Sequence, residues 1–122
     1  ETIHWEIGEI FNGERRIIPK MQTDVCLVNK RKKIIIDAKY YQQVFEKNYR
    51  GEDKINSANL FQLYSYLSNA DKRTVMEGIL LYPQTNQEVN IAFEMKGYKI
   101  KVLTINLNQH WSRIRKKLLE IL

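Results

Sequence analysis

Ile34-Ile35-Ile36 runs directly into Asp37-Ala38-Lys39. On a strand, successive side chains point to opposite faces, so an unbroken apolar run has to be covered on both sides. A strand from Ile34 to Tyr40 therefore belongs inside a sheet with layers above and below it. Asp37 and Lys39, two positions apart, then project from the same face at the strand's end. The whole chain has 122 residues, 43% hydrophobic and 28% charged, which suffices for one domain with a single modest core. No apolar run approaches bilayer-spanning length, and no secretory signal pattern is present. The chain opens on Glu1 rather than Met and is read as a fragment of a longer protein.

The remaining pattern supplies neighbours for that strand. Asp24 to Val28 reads as a strand, Asn29 to Lys33 as a basic turn, and residues 24 to 40 as an antiparallel hairpin. Whether Asp24 then meets Asp37 depends on a register that the sequence leaves open. Upstream, Ile3, Trp5 and Ile7 alternate with polar residues ahead of Asn12-Gly13, which predicts a hairpin returning over Arg15 to Met21. A helix over residues 3 to 11 is the competing reading, since Ile3, Ile7 and Ile10 also fit its period. Tyr41 to Asn56 reads as a loop with a short helix near Gln43 to Lys47. Ser57 is the expected N-cap of a helix over Ala58 to Asn69. Leu60, Leu63, Tyr64 and Leu67 gather on one side of that helix, and Asn59, Gln62, Tyr66 and Asn69 on the other. Glu77 to Tyr82 reads as a strand, Val89 to Glu94 and Tyr98 to Leu107 as a hairpin about Lys96-Gly97, and Gln109 onward as a final helix. Trp111, Ile114, Leu118 and Ile121 form the apolar stripe of that last helix, with Arg113, Lys116 and Lys117 facing away.

Several function classes fall away. The single cysteine, Cys26, excludes an internal disulfide and an all-cysteine iron–sulfur site, and its apolar surroundings mark it as a buried strand residue in a reducing, cytoplasmic setting. His4 and His110 carry no metal-ligand spacing, so a zinc site is not expected. There is no Gly-rich phosphate loop, hence no nucleotide bound by this chain. A formal net charge of +6 permits a polyanionic partner without identifying one. What remains is two acids, Asp24 and Asp37, and Lys39. Mg²⁺ takes hard oxygen ligands and often needs only one or two protein carboxylates. Such an ion, with a lysine to orient water or stabilise charge on phosphate, suits phosphodiester hydrolysis. Gln62 and Tyr66, four apart, share a helix face and add hydrogen-bonding groups.

In order along the chain stand Asp24, Asp37-Ala38-Lys39-Tyr40, Gln62-Leu63-Tyr64-Ser65-Tyr66 and Gly78-Ile79-Leu80-Leu81-Tyr82-Pro83. Over residues 15 to 83 this resembles the PD-(D/E)xK nuclease superfamily and, more narrowly, the C-terminal nuclease domain of McrC, the cleavage subunit of McrBC-type restriction systems. The resemblance implies an α/β fold with a restriction-endonuclease-like central mixed sheet flanked by helices. It implies Asp24, Asp37 and the Ala38 backbone as metal ligands, Lys39 as the catalytic lysine, and Gln62 and Tyr66 as the Gln-x-x-x-Tyr motif supporting the site or DNA. It further implies Mg²⁺ (with Mn²⁺ as a substitute), double-stranded DNA as substrate, and a McrB-like AAA+ GTPase as partner. Thr23 stands where the family usually has Pro, a position that supplies no ligand. Many superfamily members use a further acid from an upstream helix, for which Glu6 and Glu9 are the nearby candidates. Two rivals differ in testable ways. A RecB-like exonuclease domain would depend on strand ends, and a catalytically idle DNA-binding or assembly module would bind no Mg²⁺ or Mn²⁺.

Overall fold

A computed structural model describes residues 2–39, 43–47, 49–85 and 87–121. Its elements, in chain order, are β1 (Thr2–Ile3), β2 (Met21–Gln22), β3 (Val25–Val28), β4 (Lys32–Ala38), β5 (Phe45–Lys47), β6 (Asp53–Ile55), α1 (Ser57–Asn69), β7 (Val75–Pro83), β8 (Asn90–Met95), β9 (Tyr98–Ile105) and α2 (Trp111–Ile121). A five-stranded sheet of order β3-β4-β7-β9-β8 forms the centre, and two-stranded ladders β1-β2 and β5-β6 lie outside it. The three inner strands are mutually parallel, and β3 and β8 close the edges antiparallel. This is the expected α/β arrangement, a restriction-endonuclease-like mixed sheet flanked by two helices.

The isoleucine run takes the central place its pattern demands. Ile34, Ile35 and Ile36 are all buried, with β3 on one side and β7 on the other. Burying each side chain contributes about 1.5–3 kcal/mol relative to exposure. Ile35 joins Leu63, Leu67, Leu80, Ile100 and Val102 in the main core beneath α1, while Ile34 and Ile36 join Ile79 and Leu103 in a smaller cluster on the opposite face. Parallel pairing of β4 with β7 needs a long crossover, and α1 provides it. The helix presses closely on the sheet at Gly78. A Cβ built there would stand 2.8 Å from Leu67 Cδ1 and 3.0 Å from both Leu63 Cδ atoms. Glycine is what lets helix and strand approach this far.

The second face also holds a buried charge. Glu77 lies between the Lys101 and Lys32 ammonium groups, at 2.8 and 3.1 Å. Burial alone would raise its pKa, but these two lysines overcome that effect and hold the carboxyl below its ordinary range. Glu77 is thereby kept ionised in the layer between sheet and solvent. α2 covers this face only in part: Ile121 packs on the small cluster, whereas Trp111, Leu118 and Leu119 are exposed.

Several local expectations are corrected. The strands expected over residues 3 to 11 and 15 to 21 shrink to β1 and β2, and Arg15–Ile17 forms a 3₁₀ turn. Asn12-Gly13 makes a bend with Gly13 at φ +94°, but no tight hairpin follows, because the flanking residues are largely exposed and lack a face to bury. Gln43 to Lys47 contributes not a helix but β5, paired to β6 across a turn in which Gly51 takes φ +76°. The N-cap of α1 is Asn56 rather than Ser57, its side chain accepting from the Asn59 N–H at 3.0 Å. The apolar stripe expected for α2 fails at Trp111 and Leu118, which reach no core. Tyr40, the expected end of the central strand, falls outside the described residues. At Lys96-Gly97 the expected turn is present, with φ +50° and +86°, as a two-residue hairpin between twisted strands requires.

Gly78→Val should destabilise the domain by about 1–3 kcal/mol through overpacking against Leu63 and Leu67. Urea denaturation checks this, and a midpoint equal to that of the parent protein would contradict the close helix–strand contact.

Candidate active site

The β3–β4 register answers the question left open by the sequence. Val25 pairs with Ile36 and Cys26 with Ile35, so one more step carries Asp24 to the position facing Asp37. Cross-strand partners share a face, and this face is the one beneath α1. Asp24 has already left the regular strand, and its Oδ2 accepts a hydrogen bond from the Ala38 N–H at 2.9 Å. That contact ties the edge-strand acid to the backbone between Asp37 and Lys39. The Lys39 N–H in turn donates to the Leu81 carbonyl at 2.8 Å, so the parallel ladder continues just past the last strand residue and holds Lys39 in line.

Side chains from α1 complete the cluster. Lys39 Nζ lies 3.0 Å from Asp37 Oδ2 and donates to Gln62 Oε1 at 2.6 Å. Gln62 uses its other group as well, Nε2 donating to the Tyr66 hydroxyl at 2.8 Å. A polar chain thus runs Asp37–Lys39–Gln62–Tyr66 across the gap between β4 and α1. Asp24 and Gln62 are exposed while Asp37 and Tyr66 are buried, so the cluster opens to solvent on one side only. Among the described residues no group of three or more His, Cys, Asp or Glu forms a metal-binding cluster, and Glu6 and Glu9 do not join the two aspartates. The Glu6 N–H instead donates to Asn69 Oδ1 at the far end of α1.

The electrostatics of the cluster are set by burial and by the charges it brings together. Burial raises the Asp37 pKa, the Lys39 ammonium pulls it back, and the nearby Asp24 carboxylate raises it again; the net result is a pKa above the usual value. Asp37 Oδ2 accepts no well-aligned hydrogen bond, the Lys39 ammonium being its close partner by charge. The Tyr66 hydroxyl is likewise pushed up, by burial first and then by the charges of Asp37 and Asp24, against the Gln62 hydrogen bond.

One partner in this region was not expected from the sequence. Asn59 Nδ2 donates to the Tyr82 hydroxyl at 2.9 Å, both groups being buried. The expectation that Asn59, Gln62 and Tyr66 lie opposite the apolar side of α1 is therefore corrected. Asn59 and Tyr66 are buried together with Leu63 and Leu67, and they carry the polar edge of the helix toward the sheet. The spacings of four and seven from Asn59 to Leu63 and Tyr66 are the signal that could have revealed it. The basic turn is not part of the site. Lys30 and Arg31 precede β4, and Asp37 lies at the other end of that strand, about 20 Å away at ~3.3 Å per residue.

The family model for the McrBC 5-methylcytosine restriction system component matches residues 8–83, which hold all of these side chains. The chain belongs to the McrBC family of restriction-system components. It is also 32% identical over 121 residues to a protein of Escherichia coli (strain K12) described as "Type IV methyl-directed restriction enzyme EcoKMcrBC". That similarity covers 98% of this chain and 34% of the relative, so the chain spans about a third of the curated relative's length. The McrC-like resemblance is borne out, and the similarity reaches beyond residue 83 into β8, β9 and α2.

Gln62→Ala removes both the Lys39 acceptor and the Tyr66 donor, and should cost about 1–2 kcal/mol in urea denaturation. Because the two contacts share one side chain, Gln62→Ala and Tyr66→Phe should combine non-additively, by about 0.5 kcal/mol or more. Full additivity would show that the chain of contacts is not formed.

Proposed function

We propose that this McrBC-family chain carries the DNA-cleaving centre of a McrBC-like restriction system, a Mg²⁺-dependent endonuclease of the PD-(D/E)xK type. The observation that carries the reading is the convergence of Asp24, Asp37 and Lys39 at one end of β4, on the face where Gln62 holds the lysine. The raised pKa of the buried Asp37 carboxyl, which burial causes first, is in keeping with that reading.

The donor set fits a hard divalent cation. Asp37 presents a buried oxygen with no aligned hydrogen-bond donor, and Asp24 faces it across the register. Asp24, Asp37 and the Ala38 carbonyl would hold Mg²⁺, or Mn²⁺ in its place, with phosphate and water in the remaining positions. When bound, the ion polarises the phosphoryl oxygen and lowers the pKa of a water. The chain's own residues do the rest. Lys39, held between Asp37 and Gln62, orients the attacking water or stabilises negative charge as it builds on the phosphate. Gln62 fixes the direction of that ammonium. The Tyr66 hydroxyl accepts from Gln62 and so fixes the amide that holds Lys39.

Double-stranded DNA is the proposed substrate. The relative is described as methyl-directed, and recognition of a modified base is assigned in this reading to another chain of the system. Target choice and the timing of the cut are assigned to a McrB-like AAA+ GTPase partner. No described helix is long and apolar enough to cross a membrane.

Asp37→Ala should abolish cleavage by the assembled system while DNA binding is largely kept. Lys39→Ala should lower the rate by about 10²–10³-fold with a smaller effect on Mn²⁺ affinity. The assay compares methylated and unmethylated DNA, with and without GTP and the motor partner. Undiminished cutting by Asp37→Ala would remove the site assignment.

A further inference from the structure

A cleft of about 680 Å³ opens at the end of the sheet where the parallel strands β4, β7 and β9 finish, the end that also carries Asp37. Its size is that of a small-molecule pocket, and the carboxyl ends of parallel strands are the usual place for a ligand. Its polar walls come from the β5-β6 ladder, from the start of α1 and from the segment after β7: Gln43, Glu46, Lys47, Asp53, Asn56 and Gln87.

The charges in this cleft argue against a phosphate. Lys47 is paired with Asp53, and no other lysine or arginine lines the cleft among the described residues. The N-terminus of α1, which would otherwise attract an anion, is already occupied by the Glu46 carboxylate. Its Oε1 accepts from the Ser57 N–H at 3.4 Å and its Oε2 from Asn56 Nδ2 at 3.0 Å. Glu46, Lys47 and Asp53 leave the walls net negative. What the cleft offers instead is uncharged hydrogen-bonding capacity from Gln43 and Gln87, a carboxylate acceptor in Glu46, and the half-buried ring of Phe45. These are the groups that meet a sugar and a base rather than a phosphate.

Along α1 the cleft is offset from the residue that holds Lys39 by less than two helical turns. Asn56 borders it and Gln62 holds Lys39, and six helical residues separate them, about 9 Å along the axis. Stacked nucleotides follow one another at about 3.4 Å per strand, so 9 Å is two to three steps. Tyr82, on β7 between them, feels charges from both regions. The buried Tyr82 hydroxyl has its pKa raised by burial and, despite the Asn59 hydrogen bond, by the charges of both Asp37 and Glu46.

We infer that this cleft receives the sugar and base of a nucleotide within about three steps of the scissile phosphate, with Gln43, Gln87 and Glu46 contacting its polar edge. The inference rests on the DNA-cleaving reading of Asp37 and Lys39. The cleft contributes positioning of the strand and a preference among bases near the cut; the bond-breaking step stays at the aspartates.

Two measurements test it separately from that reading. The first uses the assembled system carrying Asp37→Ala and a DNA duplex with 5-iododeoxyuridine, irradiated and analysed by mass spectrometry. Crosslinks are expected in the peptides containing residues 43–47 or 84–89. Crosslinks confined to other peptides, or none, would overturn the inference, as would protection of these peptides by the motor partner alone, which points to a protein occupant. The second sequences the cut ends made by the Gln43→Ala and Gln87→Ala proteins. Base frequencies within three steps of the cut should shift and KM should rise about threefold to tenfold, the loss of one hydrogen bond, with kcat nearly unchanged. Unchanged base frequencies and KM would overturn it. A wild-type system that does not cut at all would refute the nuclease reading, while the crosslinks still report on the cleft.

Discussion

The register between β3 and β4 is the constraint on which the rest of this molecule depends. With Val25 opposite Ile36, Asp24 falls opposite Asp37 on the face beneath α1. A slip of one residue would send every β3 side chain to the other face, taking Asp24 away from Lys39 and Cys26 out of the main core. Two features hold the register. Leu27 packs with Ile34 and Ile36 on one face and Cys26 with Ile35's cluster on the other. At the turn, the Asn29 side chain accepts from the N–H groups of Arg31 and Lys32, at 2.9 and 2.8 Å. The hairpin is therefore pinned at its closed end by Asn29 and at its open end by the Asp24–Ala38 contact.

A second layer of positioning comes from α1. Gly78 lets the helix settle onto the sheet, and the same closeness brings Asn59 to Tyr82 and Gln62 to Lys39. Buried polar contacts of this kind are costly when incomplete, so they favour one placement of the helix over its neighbours. The helix thus has two tasks that depend on each other. Leu63 and Leu67 supply the packing, and Gln62 and Tyr66 direct the polar chain that ends on Asp37. A site of this kind tolerates a carboxylate with a raised pKa because the surrounding core holds it there.

What could be read in the sequence follows from how strongly each segment is specified. Ile34-Ile35-Ile36 admits one solution, a doubly covered strand, and Lys96-Gly97 admits one turn. Spacing alone put Asp37 and Lys39 on one strand face and Gln62 and Tyr66 on one helix face; that the two pairs meet was implied by the family resemblance and is seen in the Lys39–Gln62 contact. Asp24 was legible as a candidate only, because its placement is decided by the register, a long-range property. The segments at 3–21 and 43–55 were misread because they are mostly exposed, and without a buried face neither alternation nor helical period carries weight. The α2 stripe misled for a related reason. Trp111 and Leu118 have helical spacing, but periodicity shows a face and not whether anything covers it. Asn59 reads as lying opposite the apolar stripe because it is polar, whereas its amide is satisfied by Tyr82 inside the core.

In the proposed function, hydrolysis belongs to the end of β4, strand placement to the cleft at the same end of the sheet, and target choice to a motor partner. The central claim is that Asp24 and Asp37 together hold one divalent cation beside Lys39. Anomalous diffraction from crystals grown with Mn²⁺ addresses this most directly. A manganese peak within about 2.5 Å of carboxylate oxygens from both Asp24 and Asp37, absent in Asp37→Asn, is the expected result. A fully loaded crystal with no peak there, or with manganese bound at Glu46 and Asp53 instead, would contradict it.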